Sequence, residues 1–195
     1  MRMLMKTFPL PFSVLLFAFA ATAQAQSTEI AADYTYIRAN APPGECDCFS
    51  MNGGSLSVAQ PFKAGSLPPG SLAFVLDATF AHASSISHAD YSLTLSTYTV
   101  GVRYRPLPTA QWSPFGQVLL GASHASGSLV EGGTPAAGDG TLKFASVIGA
   151  GVDRWIGPQW SLRVLEIDYL LTTYSNRADD RQNSLRVSVG AAYHF

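Results

Sequence analysis

From Leu185 to Phe195, apolar and polar side chains alternate one by one. Leu185, Val187, Val189, Ala191, Tyr193 and Phe195 fall on one parity; Arg186, Ser188, Gly190, Ala192 and His194 fall on the other. A period of two marks a β-strand with unlike faces, because successive side chains point to opposite sides of a sheet. The pattern recurs along the chain, bounded by Gly, Pro, Asn or Ser. It predicts eight strands, over 30–38, 55–63, 71–83, 91–104, 115–125, 141–153, 160–174 and 184–195. The apolar parity holds Leu72, Phe74, Leu76, Ala78 and Phe80 in the third run and Tyr98, Val100, Val102 and Tyr104 in the fourth. In the sixth it holds Leu142, Phe144, Ile148, Ala150 and Val152, and in the seventh Leu165, Ile167, Tyr169 and Leu171. In the fifth run Phe115 and Leu119 compete with Val118 and Leu120, so its apolar face stays open. Asn52-Gly53-Gly54 reads as turn punctuation ahead of the second strand.

The opposite parity carries Asp33, Asp77, Arg103, Lys143, Asp153, Glu166, Asp168 and Arg186. Two architectures fit. In a soluble barrel the apolar face turns inward and these charges meet water. In a membrane barrel the apolar face meets lipid and the charges fill the lumen. Composition separates the two. Only 13% of residues are charged although 47% are hydrophobic, and the mean hydropathy is +0.15. That is charge-poor for a soluble domain and too polar for a bundle of membrane helices. The runs are long for a soluble sheet but suit a tilted membrane strand, and aromatics gather near strand ends. The reading is therefore all-β: an eight-stranded antiparallel up-and-down transmembrane β-barrel, closed because lipid cannot satisfy an open sheet edge. Its lumen is expected to be plugged, with the eight charges answering one another. Arg163 breaks the parity by falling on the lipid face, which predicts an interfacial snorkelling position or a bulge. The formal charge of −1 gives no reason to expect nucleic acid as a partner.

Residues 1–25 read as a cleaved signal peptide, leaving 26–195 as one barrel domain. Arg2 and Lys6 supply the basic start, Phe12 to Ala21 the apolar stretch, and Ala23-Gln24-Ala25 the cleavage site. The apolar stretch is about half the ~20 residues a spanning helix needs. The two cysteines, Cys46 and Cys48, then lie in an exported chain, where a disulfide is permitted. Free thiols are the other reading; a metal site lacks further ligands. With both termini on one side, the far-side connections span 39–54, 84–90, 126–140 and 175–183, against 64–70, 105–114 and 154–159 on the near side. Longer outer loops over shorter inner turns is the outer-membrane asymmetry.

The closing Tyr193-His194-Phe195, with its alternation upstream, resembles the C-terminal strand of bacterial outer-membrane proteins. Gly149-Ala150-Gly151-Val152-Asp153, then Trp160, Arg163 and Asp168 to Thr172, is similar to the penultimate strands of the small eight-stranded barrels of the OmpA-like transmembrane family. The resemblance implies an integral protein of the bacterial outer membrane, with lipid around it. It implies that Tyr193 and Phe195 signal to the barrel assembly machinery. It also implies a structural, membrane-integrity or surface-interaction role. No peptidoglycan-binding domain follows Phe195, so wall tethering is not expected.

Candidate chemistry is sparse. Some barrels of this size are lipid A deacylases with a His-x-Ser pair and a distant acid. His82 with Ser84 and His124 with Ser126 match the pair, but Asp90 and Glu131 follow too closely. Glu166 and Asp168 share a strand face as glycosidase acids might; lumen pairing explains them more simply. Gly149-x-Gly151 lacks the third Gly and the helix of a dinucleotide site. The expectation is no catalysis, no cofactor and no metal, with the extracellular partner unnamed. A narrow pore or small-ligand conduit, a lipid A-modifying enzyme and a secreted soluble barrel are the rival readings.

Overall fold

A computed structural model describes residues 28–39, 49–62, 70–86, 91–127, 142–174 and 180–195. The expected signal peptide, Cys46 and Cys48 lie outside them. Eight strands follow in chain order: β1 (Glu29–Ala39), β2 (Ser50–Phe62), β3 (Ser71–Ile86), β4 (Tyr91–Arg105), β5 (Trp112–Ser126), β6 (Leu142–Trp155), β7 (Trp160–Thr172) and β8 (Gln182–His194). Each pairs antiparallel with the next, and β8 closes on β1. The register shows how the sheet closes. Glu29 faces Ala59, Ala59 faces Val75, and the row runs on through Gly101, Leu119, Val147, Leu170 and Ser184 to Ala39. It returns to β1 ten residues beyond its start. Such a stagger obliges the strands to tilt against the barrel axis.

The parity has one meaning all round. Phe74, Leu76 and Phe80 are each 49% exposed on the outside, while Val75, Asp77 and Thr79 between them are buried. Asp77, Arg103 and Glu166 point in, and an apolar wall points out. A soluble protein would not leave so wide an apolar surface bare; lipid requires it. β5 resolves its ambiguity the same way: Val118 and Leu120 face out, Phe115 and Leu119 face in. The outer wall turns polar towards the ends of the strands away from the termini, at Arg38, Asn52, His82 and Ser96. The end that carries the termini, with its short turns, is the periplasmic end.

Two elements differ from expectation. β2 begins at Ser50, so Asn52-Gly53-Gly54 is strand, not turn. A Cβ on Gly53 would collide with the Phe80 carbonyl of β3; glycine here lets two backbones approach. In β7, the register shifts between Arg163 and Glu166. Val164 and Leu165 are consecutive and both exposed. This bulge absorbs one residue and puts both Arg163 and Glu166 inside the barrel.

Candidate functional site: a buried luminal ion cluster

Tilted strands bring inward side chains from distant parts of the chain to one level. Arg163 on β7 is the most connected. It donates from Nη2 to Glu29 Oε1 at 2.8 Å, from Nη1 to Asp33 Oδ2 at 2.9 Å and from Nε to Asp153 Oδ1 at 3.2 Å. Glu166 Oε2 lies 3.3 Å away across the bulge. Arg103 on β4 reaches Glu29 on β1 at 2.7 Å, and its Nη2 and Nε both donate to Gln117 Oε1 on β5. Arg105 bridges Glu29 Oε2 at 2.7 Å and Asp153 Oδ2 at 2.6 Å. A second centre forms around Arg186 on β8, which donates to Asp168 Oδ2 and to Asp77 Oδ1, each at 2.9 Å. Gln117 joins the two centres, its Nε2 donating to Glu166 Oε1 and Asp168 Oδ1. The contacts of Arg103 with Glu29 and of Arg186 with Asp77 link strands that are not neighbours in the sheet. All four arginines are buried.

Burial makes this arrangement all-or-nothing. A charge removed from water costs several kcal/mol unless partners replace the solvent. Here nearly every guanidinium nitrogen has a carboxylate or amide opposite it. Small residues make the room. A Cβ on Gly149 would overlap the Asp168 carboxylate, and one on Gly190 would overlap that of Asp33. A Cβ on Gly151 would meet the Phe115 ring. Gly149 and Gly151 are thus the hollows into which the cluster fits. Phe115 points inward beneath three cations, with the guanidinium carbons of Arg103, Arg105 and Arg163 at 4.4, 5.0 and 5.0 Å from its ring centre. The ring faces receive positive charge that would otherwise meet hydrocarbon. Towards the termini, His194 Nε2 and Ser161 Oγ share a hydrogen bond of 2.9 Å, and the His194 ring stacks on Trp155.

Seven of the eight charges expected in the lumen lie in this cluster: Asp33, Asp77, Arg103, Asp153, Glu166, Asp168 and Arg186. Lys143 is a correction. It has the inward parity, but its register places it opposite Ser123 near the extracellular end of β6. It is half-buried and answers no carboxylate among the described residues. Four members were missed. Glu29 and Arg105 lie one step beyond the predicted strand ends, on the parity of Asp33 and Arg103, so extending those runs would have found them. Arg163 needed the bulge, and its anomalous parity was the signal. Gln117 was hidden by the ambiguity of the fifth run.

Above the cluster the lumen changes character. Ile37, Met51, Leu93, Leu95, Leu170 and Tyr174 form an apolar core towards the extracellular end. The Tyr174 hydroxyl donates across the mouth to the Ser123 carbonyl at 2.8 Å. Burial pushes this phenol up from its ordinary value, so it remains a neutral donor. The His-x-Ser pairs lie on the outer wall instead. His82 and Ser84 are exposed there, and His82 Nδ1 shares a hydrogen bond with Thr94 Oγ1. No group of three or more His, Cys, Asp and Glu residues suits a metal ion among the described residues.

A closed eight-stranded barrel with lipid on the outside and ion pairs inside defines an integral protein of the bacterial outer membrane. Residues 12–195 match the model of the outer membrane protein beta-barrel domain, and the chain belongs to that family. No curated protein sequence matches the chain. Among solved structures it is similar to Neisserial surface protein A (NspA), with a TM-score of 0.56 and 17% identity over 86% of this chain and 97% of that one. It is similar also to the outer membrane protein OprG from Pseudomonas aeruginosa, with a TM-score of 0.52 and 10% identity over 88% and 96%. A third is Ail, the attachment invasion locus protein of Yersinia pestis, in complex with the heparin analogue sucrose octasulfate. Its TM-score is 0.51 and its identity 15%, over 87% and 97%. These likenesses are of fold.

Proposed function

We propose that this barrel has a structural or surface-interaction role, without catalysis, and that its lumen is closed to ions and solutes. The observation that carries the reading is the cross-lumen bonding of Arg103 to Glu29 and of Arg186 to Asp77. Eight strands leave an interior that side chains just fill, and these side chains are tied to one another across it. His82 turns its Nδ1 to Thr94 Oγ1, a partner outside its His-x-Ser pair, which supports the reading without catalysis. Export through residues 1–25 and delivery by the barrel assembly machinery belong to the same reading. The edge-to-face stack of Trp160, Tyr193 and Phe195 offers the aromatic end that such machinery would read. The extracellular loops are the surface left for partners, and Ail, in complex with a heparin analogue, is a precedent for ligand binding by a protein of this fold. Planar-bilayer recording tests the closure: the purified barrel is expected to insert without stable conductance. Reproducible single-channel steps would establish the conduit instead.

A further inference from the structure

One inward row cuts through the apolar upper lumen with polar side chains. Thr79 on β3 faces Thr97 on β4, Thr97 faces Ser123 on β5, and Ser123 faces Lys143 on β6. Adjacent strands lie about 5 Å apart, so the four side chains stand in a continuous file. At its inner end Thr79 Oγ1 receives Arg186 Nη1 at 2.6 Å and is tied to the ion cluster. At its outer end the Lys143 ammonium has no counter-charge among the described residues. Between them, Thr97 and Ser123 are fully buried, and neither Thr97 Oγ1 nor Ser123 Oγ has a hydrogen-bond partner. Buried hydroxyls are rarely left so, because each unmade bond costs about 1–3 kcal/mol.

We propose that this row is a binding seam for a small oxyanion, a carboxylate or a phosphate, entering from the extracellular mouth. The ammonium supplies the charge, and the two hydroxyls supply donors that reach other oxygens of the same group. A monatomic anion cannot engage both ends of the file. The ion cluster marks the floor: its six carboxylates, Glu29, Asp33, Asp77, Asp153, Glu166 and Asp168, outnumber its four guanidiniums and repel an anion from going deeper. Tyr174, bonded across the mouth, lies above the seam. The seam lies above the ion cluster, so it stands whether or not the closure proposed above holds.

The test uses the refolded barrel in phospholipid nanodiscs, titrated with sodium acetate, sodium phosphate and sodium chloride at matched ionic strength. Amide NMR signals of Thr97, Ser123 and Lys143 report occupancy. Saturable shifts of all three with acetate or phosphate, and none with chloride, are expected; whichever anion acts names the ligand class. Lys143→Gln is expected to weaken binding at least about tenfold, as befits loss of a charge-assisted bond. Ser123→Ala and Thr97→Val are expected to weaken it several-fold. Because these hydroxyls bond to nothing in the protein, both variants should fold. Shifts that grow linearly, stay at Lys143 and are matched by chloride overturn the proposal. So does wild-type affinity in both hydroxyl variants, which would leave a lone surface ammonium. Should any variant fail to fold, the wild-type protein decides: acetate or phosphate raises its heat-modifiability midpoint above that in chloride, or the seam is not a site.

Discussion

The two halves of the lumen obey one parity and fill themselves in opposite ways. Near the termini, inward positions hold Glu29, Asp33, Arg103, Arg105, Asp153 and Arg163, bonded across the barrel. Near the extracellular mouth, the same parity holds Ile37, Met51, Leu95, Leu170 and Tyr174, packed as an apolar core. The difference teaches that facing inward does not dictate polarity. Only the outer wall is constrained by lipid. The inner wall needs to be filled, and either a satisfied ion network or a hydrocarbon core can do it. The two fillings should fail differently. An apolar core loses a side chain's packing at a time, whereas an ion network exposes every partner of the missing charge.

The largest effect is expected at Arg163. Arg163→Ala strands Asp33 and leaves Glu29, Asp153 and Glu166 short of a partner, and should destabilise the barrel by about 3–5 kcal/mol. Urea unfolding in vesicles measures it, and a loss near zero would mean that the cluster is hydrated rather than buried. Next comes Leu170→Ala in the apolar half, expected to cost about 2–5 kcal/mol as a core cavity. If it rivals or exceeds Arg163→Ala in the same assay, the contrast between the halves is not one of connectivity. Gly190→Ala drives a methyl into both the Asp33 carboxylate and the Ala32 carbonyl, and should cost about 1–3 kcal/mol as overpacking; the double variant with Asp33→Ala, which relieves only the carboxylate, should recover part of that loss. A strictly additive double variant sinks the claim that this glycine exists to make room. Smallest is Phe115→Leu, which keeps the volume roughly and removes the ring beneath three guanidiniums, for about 1 kcal/mol. An unchanged unfolding midpoint would demote Phe115 to plain filler.

Strand number, the lipid-facing wall and most charged lumen positions were legible from alternation alone. Asp77 lies between Leu76 and Ala78, and Arg186 between Leu185 and Val187, so each had to face away from lipid. Alternation could not say that these two meet. Asp77 and Arg186 are far apart in the chain and on strands that are not neighbours, and only the stagger accumulated around the closed sheet brings them to 2.9 Å. Lys143 shows the same limit in reverse: its parity was right, and its height took it out of the cluster. Arg163 shows a second limit, since the bulge that turned it inward shifts the parity of one strand without a glycine to announce it.

What the chain determined by itself is local: a period of two, which side of each strand is greasy, and where polarity breaks it. These follow from the geometry of an extended backbone, whatever the partner strand. What tertiary structure alone decided is height: which inward residue stands level with which. Height depends on the tilt and register of all eight strands at once, so it exists only when the barrel has closed. That one variable separates the ionic half from the apolar half, excludes Lys143 from the first, and sets it at the end of the hydroxyl row in the second.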